Sequence, residues 1–283
     1  MTENRQDYSD EWRIVHLERL GLNEDPFKAS ADPRFLYLGP EHLSVFRQLQ
    51  GVIARRRGLA LVTGSMGMGK STLARRLFDL HYEDPKTEIA YIDTASFRTP
   101  MDAARGISRT FANLNVPPAR SYAAQKEILK EAIVKSYQAG KNTVLLLDDA
   151  QRMSRDALEV IHELYNFDYD DKLIQVMLFG QNELNSLFES YPAVSSRVFV
   201  RMSLPPLTLS SALQMINFRL RTAGRTAPLI EDNAFSMLFN TSGGVPREIV
   251  RLCALATDLL IQTDYDFVTQ EVMEEVLAVY GKQ

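Results

Sequence analysis

The chain has 283 residues, of which 45% are hydrophobic and 24% are charged, with a formal net charge of −4. The length and composition predict one or two folded cores. The negative net charge argues against a protein whose overall electrostatic field attracts nucleic acid, although a local basic patch is compatible with it. The single cysteine excludes an internal disulfide, and no apolar run approaches the ~20 residues that cross a bilayer. The polar N-terminus carries no signal-peptide pattern, so the sequence predicts a cytoplasmic protein that does not enter a membrane.

Apolar residues at helical spacing predict a first helix over Pro40–Arg57. Strand-like apolar runs then alternate with helical stretches. The predicted strands are Leu59–Thr63, Glu88–Asp93, Thr143–Asp148, Leu173–Gly180 and Arg197–Leu204. The predicted helices between them are Thr72–Tyr82, Met101–Leu114, Tyr122–Gln138 and Arg155–Asp168. This alternation predicts an α/β fold in which a parallel sheet has both faces covered by helices.

Beyond the double proline at 205–206 the pattern changes to helices alone. These helices are predicted over Ser210–Ala223, Glu231–Asn240, Val245–Gln262 and Thr269–Tyr280. The sequence therefore predicts three parts: an N-terminal segment (residues 1–40), an α/β domain (41–205) and an all-helical domain (206–283).

The segment Gly64–Ser71 fits the pattern G-x-x-x-x-G-K-[ST] and lies between a predicted strand and a predicted helix. In such a phosphate-binding loop, backbone N–H groups surround the β-phosphate, Lys70 reaches the β- and γ-phosphates, and the Ser71 hydroxyl ligates Mg²⁺. The alternative is a glycine-rich turn with a chance lysine. No Asn-Lys-x-Asp guanine motif is present, so the prediction is ATP with Mg²⁺. The predicted nucleotide-binding residues are Gly64, Ser65, Met66, Gly67, Met68, Gly69, Lys70, Ser71 and Thr72.

A second motif is the apolar run 144–147, which ends in Asp148 and Asp149. The carboxyl ends of parallel strands meet at one edge of the sheet, so these acids are expected beside the phosphate-binding loop. This is a Walker B pattern, in which Asp148 is the expected Mg²⁺ partner and Asp149 orients or activates the attacking water. By its spacing alone the pair could equally be an ordinary helix N-cap.

Further motifs occur in a fixed order along nearly the whole chain. They are Asn23–Phe27, Pro33–Tyr37, Leu147–Gln151, Gly180–Leu184, Leu204–Leu207 and Ser242–Arg247. With these motifs the chain resembles the ExeA/GspA group of AAA+ ATPases. It is also similar in architecture to transposition regulators of the TnsC and TniB type, and more distantly to the Orc/Cdc6 and MuB ATPases. The resemblance implies an AAA+ P-loop NTPase with a parallel five-stranded sheet and a C-terminal all-helical lid.

The resemblance also implies roles for single residues in ATP hydrolysis. Gln181 matches the first sensor, and the alternative is a strand-end amide that caps a turn. Arg197 matches the finger that reaches a neighbouring subunit's ATP, with Arg201 as the competing candidate and a plain surface arginine as the alternative to both. Arg247 matches the second sensor on the lid, or else it is a structural lid arginine. Leu22–Phe27 and Phe35–Leu38 are expected either to fold over the adenine or simply to pack on the core.

The chain departs from the family at Asp149, where the resemblance leads us to expect Glu. Because a displacement of about 1 Å at a catalytic group can cost roughly a hundredfold in rate, slow hydrolysis is the hypothesis. A slow ATPase suits a switch that persists in its ATP form.

An arginine that acts in trans implies self-assembly into a ring or a helical filament. The leading hypothesis is an ATP-dependent regulator of transposition that assembles on double-stranded DNA without sequence specificity and recruits a transposase or targeting protein. Secretion-type relatives carry a membrane span and a peptidoglycan-binding region after the ATPase, and this sequence shows neither, which argues against their role. Candidate DNA contacts are Arg98, Arg105 and Arg109, although such residues usually form a solvated face. The rival hypothesis is a protein-assembly ATPase of a secretion system that never touches DNA.

Overall fold

The computed structural model describes residues 16–28, 32–167, 171–263 and 265–281. These residues form two compact units. One unit runs from His42 to Pro205, and the other combines the described residues up to Glu41 with those from Pro206 onward. The N-terminal segment therefore folds together with the C-terminal helices.

The unit His42–Pro205 contains all five strands and most of the helices that cover them. The strands are β1 (Leu59–Thr63), β2 (Thr87–Ile92), β3 (Asn142–Leu147), β4 (Ile174–Gly180) and β5 (Val198–Ser203). The helices are α1 (Pro40–Ala54), α2 (Lys70–Tyr82), α3 (Pro100–Thr110), α4 (Tyr122–Gln138), α5 (Arg155–Tyr165), α6 (Glu183–Glu189) and α7 (Pro192–Ser195). Short 3₁₀ helices follow α3 and β3, at Ala112–Leu114 and Ala150–Arg152.

The strands form one parallel sheet in the order β2-β3-β4-β1-β5. The central strands β1 and β4 are buried at every position, which explains their largely apolar sequences. The register pairs Thr63 with Gly180 and Leu147 with Leu178, so β1, β3 and β4 end at the same edge. The predicted α/β fold with a parallel five-stranded sheet is confirmed.

Three predicted helices end earlier in the structure than their apolar spacing indicates: the first helix, α3, and α5, which ends at Tyr165. The first ends at Ala54 because Arg56 adopts a left-handed backbone (φ 50°) and the Arg57 N–H donates to the Val52 carbonyl, which closes the helix. Helix α3 ends at Thr110, where Phe111 leaves the helical region with ψ 77°. Apolar side chains continue past these ends because they still pack on the core, so periodicity alone overestimates the length.

The second unit is helical, as the sequence predicts for residues after Pro206. Its helices are α8 (Leu209–Thr222), α9 (Asp232–Ser242), α10 (Pro246–Gln262) and α11 (Gln270–Tyr280). Leu20, Leu22 and Phe27 are buried in the core of these helices. Arg219 fixes this arrangement, since its guanidinium donates to the carbonyls of Pro26 (2.7 Å) and Phe35 (3.1 Å). In the part of the chain that the structure describes, no helix combines the length and the apolar character of a membrane span.

The turn between α9 and α10 gives a matched stability test. Gly243 and Gly244 both have left-handed backbones, with φ 57° and 75°. A Cβ on Gly244 would lie 2.4 Å from the Leu207 carbonyl oxygen, whereas a Cβ on Gly243 meets nothing within 4 Å.

We therefore expect Gly243→Ala to lower the free energy of unfolding by about 1–2 kcal/mol, the cost of a left-handed alanine. Gly244→Ala should cost a further ~1–3 kcal/mol, because the backbone must move to admit the methyl group. Urea unfolding of both variants checks this. Equal losses would show that the close approach to Leu207 does not limit the turn.

Candidate functional site

The glycine-rich segment forms the loop between β1 and α2. Gly67 and Gly69 have left-handed backbones (φ 82° and 89°), and α2 begins directly at Lys70. A helix N-terminus that follows such a loop presents unpaired backbone N–H groups, which bind phosphate. The strand, loop and helix required by the phosphate-binding motif are therefore all present.

Lys70 turns back into this loop. Its ammonium group donates to the carbonyl oxygens of Gly64 and Ser65, both at 2.8 Å, and the residue is only 7% exposed. A buried ammonium group beside the backbone N–H groups of such a loop is well suited to an anionic ligand. The donor set of the loop therefore fits a nucleotide phosphate.

A buried histidine supports the loop, and the sequence analysis missed it. The Nε2 atom of His42 lies 2.8 Å from the Met68 carbonyl oxygen. Because that oxygen can only accept, Nε2 carries the proton. A Cβ on Gly69 would lie 3.1 Å from the same nitrogen, so the loop passes close to α1. No local signal could reveal this contact, since 26 positions separate the two residues.

Asp148 follows β3 at the carboxyl edge and is 2% exposed. Its carboxylate accepts from the Asp149 N–H (2.9 Å) and from the Tyr91 hydroxyl (3.2 Å). Burial raises the pKa of this carboxyl group above its usual value, and a hydrogen bond with the Ser71 side chain opposes the rise. The structure thus places the two predicted metal residues close together.

One hydroxyl and one carboxylate form a sparse metal site. Among the described residues, no group of three or more His, Cys, Asp or Glu side chains could hold a metal ion. Mg²⁺ suits the sparse arrangement, since it keeps several waters and takes one or two protein ligands together with substrate phosphates. Ser71 and Asp148 therefore fit Mg²⁺ bound jointly with a nucleotide.

Asp149 stands on a strained backbone, with φ 51° and ψ 32°. Its side chain is 38% exposed, and its two carboxylate oxygens face Gln151 Nε2 (3.3 Å) and Arg152 Nε (3.8 Å). Aspartate adopts the left-handed region more readily than most residues do, and such strain is common at functional sites. The local backbone therefore favours the shorter acid at this position.

Gln181 follows β4 on the same edge. Since Gly180 pairs with Thr63, the register places Gln181 beside Gly64 at the start of the phosphate-binding loop. Its backbone N–H donates to the Gln151 side-chain oxygen at 3.1 Å. Lys70, Asp148, Asp149 and Gln181 are therefore gathered at one edge of the sheet.

Arg197 lies at the opposite edge. It precedes β5, whose first residue pairs with Leu59 at the start of β1. The five residues of β1 span about 16 Å at ~3.3 Å each, so Arg197 is separated from its own loop by the length of the strand. Its exposed guanidinium lies 5.6 Å from the Tyr165 ring centre, whereas Arg201 donates to the Ser195 hydroxyl at 2.7 Å.

The remaining predicted arginines differ in exposure. Arg98 and Arg109 are exposed on and beside α3. Arg105 is half-buried and donates to the Ala119 carbonyl at 3.0 Å, an interaction within its own fold. In the helical unit, Arg247 is the exposed second residue of α10, directly after the Pro246 that begins this helix.

Comparison with known proteins agrees with this geometry. Residues 53–188, the stretch with the phosphate-binding loop, both acids and Gln181, match the family model of the AAA domain. The chain is similar to AAA domains over this stretch, which takes in 136 of its 283 residues. It is 31% identical over 255 residues to General secretion pathway protein A of Aeromonas hydrophila, a match that covers 84% of this chain and 44% of that protein. The chain thus spans less than half the length of this relative.

Several solved structures share this fold. Cdc6p of Pyrobaculum aerophilum gives a TM-score of 0.63 at 19% identity, covering 86% of this chain and 67% of that one. The ORC1 protein of Aeropyrum pernix, solved in complex with DNA, gives 0.63 at 16% identity, covering 87% and 67%. At these identities the likeness establishes the fold, and it confirms the predicted AAA+ architecture.

The raised pKa of Asp148 gives an unusual stability prediction. A carboxyl group whose pKa is raised by folding stabilises the protein in its protonated form, and this contribution is lost as the pH rises through the folded-state pKa. At pH 7 the buried carboxylate is therefore a cost, which Asp148→Asn removes.

Without nucleotide or Mg²⁺, we expect Asp148→Asn to melt at a higher temperature than the wild type at pH 7, with the difference shrinking as the pH falls through the folded-state pKa. Addition of Mg²⁺-ATP should then stabilise the wild type more than the variant. Thermal melts across pH check both effects, with the exposed Asp79→Asn as the control. A variant that melts lower than the wild type at pH 7 would contradict the prediction.

Proposed function

We propose that the AAA domain binds ATP with Mg²⁺ and hydrolyses it slowly, as the nucleotide switch of an oligomer. The observation that carries the proposal is the gathering of a buried lysine, a Ser71–Asp148 pair, a second acid and Gln181 at one edge of the sheet. Phosphoryl transfer needs mainly positioning and charge stabilisation, and this set of groups supplies both.

Each group has a distinct role in this proposal. Lys70 and the loop N–H groups bind the phosphates, and Ser71 and Asp148 hold Mg²⁺, which neutralises phosphate charge. Asp149 orients the attacking water, and Gln181 contacts the γ-phosphate or that water. The shorter side chain of Asp149 underlies the proposed slow rate. The role of Arg247 as second sensor and the packing of residues 1–40 near the adenine remain predictions.

The oligomer follows from the position of Arg197. An exposed arginine at the amino edge cannot serve the nucleotide at the carboxyl edge of its own sheet, but it can serve that of a neighbouring copy. Arg201 is less available, since Ser195 holds its guanidinium. We therefore propose Arg197 as the arginine that completes the next subunit's site, in a ring or a helical filament.

Mixing two inactive variants tests action in trans. Lys70→Ala should abolish hydrolysis, and Arg197→Ala should lower it roughly 10³-fold. A mixture should recover part of the activity, because a Lys70→Ala subunit still supplies Arg197 to a neighbour with an intact loop. Steady-state ATP turnover as a function of mixing ratio measures this.

Arg201→Ala is the matched control for this mixing experiment, and we expect it to lose far less activity alone. A mixture of Lys70→Ala and Arg197→Ala that stays inactive, although the two variants co-assemble in the presence of ATP, would argue against Arg197 acting in trans.

We further propose that the oligomer assembles on double-stranded DNA without sequence specificity and regulates transposition by recruiting a transposase or targeting protein. Support comes from the exposed Arg98, just before α3, and Arg109, on α3, and from the structural relative solved with DNA. The alternative is a protein-assembly ATPase of a secretion system, which the match to General secretion pathway protein A favours.

DNA binding in the presence of a slowly hydrolysed ATP analogue separates the two proposals. We expect fluorescence anisotropy to show binding that weakens steeply with salt, because phosphate contacts release counterions. In the double variant Arg98→Glu with Arg109→Glu, the binding constant should depend less steeply on the salt concentration, by the amount expected for the loss of about two phosphate contacts. Arg47→Glu with Arg221→Glu, an equal charge change at exposed sites elsewhere, should change it much less. Nucleotide-dependent assembly without any DNA binding would favour the secretion alternative.

A further inference from the structure

Gln151 connects two groups that arrive at the site on different strands. It lies in the 3₁₀ helix Ala150–Arg152, which follows β3. Its Nε2 atom donates to the Asp149 carboxylate at 3.3 Å. Its Oε1 atom accepts from the backbone N–H of Gln181, after β4, at 3.1 Å. One side chain thus bridges the acid of one strand and the sensor position of the next.

The chemistry of the bridge requires an amide. The carboxylate of Asp149 can only accept, and the Gln181 N–H can only donate. A side chain between them must therefore offer a donor on one side and an acceptor on the other, as glutamine does. Reversing the amide would set N–H against N–H and oxygen against carboxylate, so the two partners fix its orientation.

The strand end beside the bridge leaves room for it. A Cβ on Gly180 would lie 2.8 Å from Gln151 Oε1 and 2.9 Å from Leu184 Cδ2, so a side chain at this position would press on both the amide oxygen and Leu184. The other contact of Asp149, with Arg152, is longer at 3.8 Å and joins two partly exposed side chains, so it constrains the carboxylate weakly. Among the described residues, the amide is therefore the main restraint on the direction of Asp149.

We propose that Gln151 is a positioning residue of this ATPase: it aims the Asp149 carboxylate and couples it to the backbone of Gln181. The inference rests on the proposed function, because it presumes that Asp149 orients the attacking water. In this role Gln151 acts through Asp149 and the Gln181 backbone. A displacement of Gln181 on nucleotide binding or hydrolysis would be transmitted through the amide to the acid.

The decisive variant is Gln151→Glu, measured by steady-state ATP turnover between pH 6 and 9. The introduced carboxylate keeps an acceptor for the Gln181 N–H but faces Asp149 with a like charge and no donor. We expect kcat to fall roughly 10- to 100-fold at high pH, with the KM for ATP little changed, since a misdirected acid affects the chemical step. As the pH falls, protonation restores an O–H donor, so the ratio of variant to wild-type kcat should rise.

Two further variants separate positioning from a structural role. Gln151→Ala removes donor and acceptor at every pH, so its kcat should be low without recovery at low pH. Gly180→Ala, which displaces the amide, should behave like Gln151→Ala. The exposed Gln48→Glu on α1 makes the same charge change away from the site and should leave kcat unchanged. Thermal melts and binding of a fluorescent ATP analogue confirm that each variant is folded and loads nucleotide.

The outcomes distinguish this inference from the proposed function. If the wild type binds but does not hydrolyse ATP, the proposed function fails. If the wild type hydrolyses ATP and Gln151→Glu matches it, the positioning role is overturned. The role is equally overturned if Gln151→Glu and Gln151→Ala lose kcat by the same factor at every pH, or if the KM rises while kcat is preserved.

Discussion

The shared register of β1, β3 and β4 is the constraint on which the site depends. Thr63 pairs with Gly180, and Leu147 pairs with Leu178, so the three strands release their chains at one edge. Lys70, Asp148 and Gln181 lie far apart in the sequence. They come together because the parallel strands that precede them end at the same edge of the sheet. If any of these strands shifted by one residue, its side chains would point to the other face of the sheet, and the site residues would no longer lie together.

The same register separates the two ends of the sheet. Groups suited to bind and cleave a nucleotide occupy the carboxyl edge, whereas Arg197 is held at the amino edge, next to the first residue pair of β1 and β5. If Arg197 completes the nucleotide site, as proposed, a single chain cannot bring the two parts of that site together. Self-assembly is therefore a geometric consequence of the proposed chemistry, and the bound nucleotide would stabilise the contact between copies.

The fold and most of the edge could be predicted from the sequence, because strands buried on both faces leave continuous apolar runs and the loop motif has fixed glycine and lysine positions. The ends of α1 and α3 were predicted too late, since apolar packing continues beyond Ala54 and Thr110. The contact of His42 with Met68 was missed because tertiary packing, with no local pattern, joins them.

The backbone conformation explains why Asp149 is compatible with a position where the family resemblance leads us to expect Glu. Asp149 has a left-handed backbone, which aspartate tolerates well, and its carboxylate is steered by Gln151. The acid therefore depends on an amide for its direction as well as on its own length. A sequence motif records the identity of such residues but not the hydrogen bonds that aim them.

Electron microscopy of the protein with a slowly hydrolysed ATP analogue tests the central claim, that nucleotide at the carboxyl edge joins neighbouring copies. The account predicts ordered rings or filaments that form with the analogue and not with the Lys70→Ala variant, with Arg197 of one copy at the loop of the next. Copies that stay monomeric with bound nucleotide, or that assemble with Arg197 facing away from the seam, would contradict it.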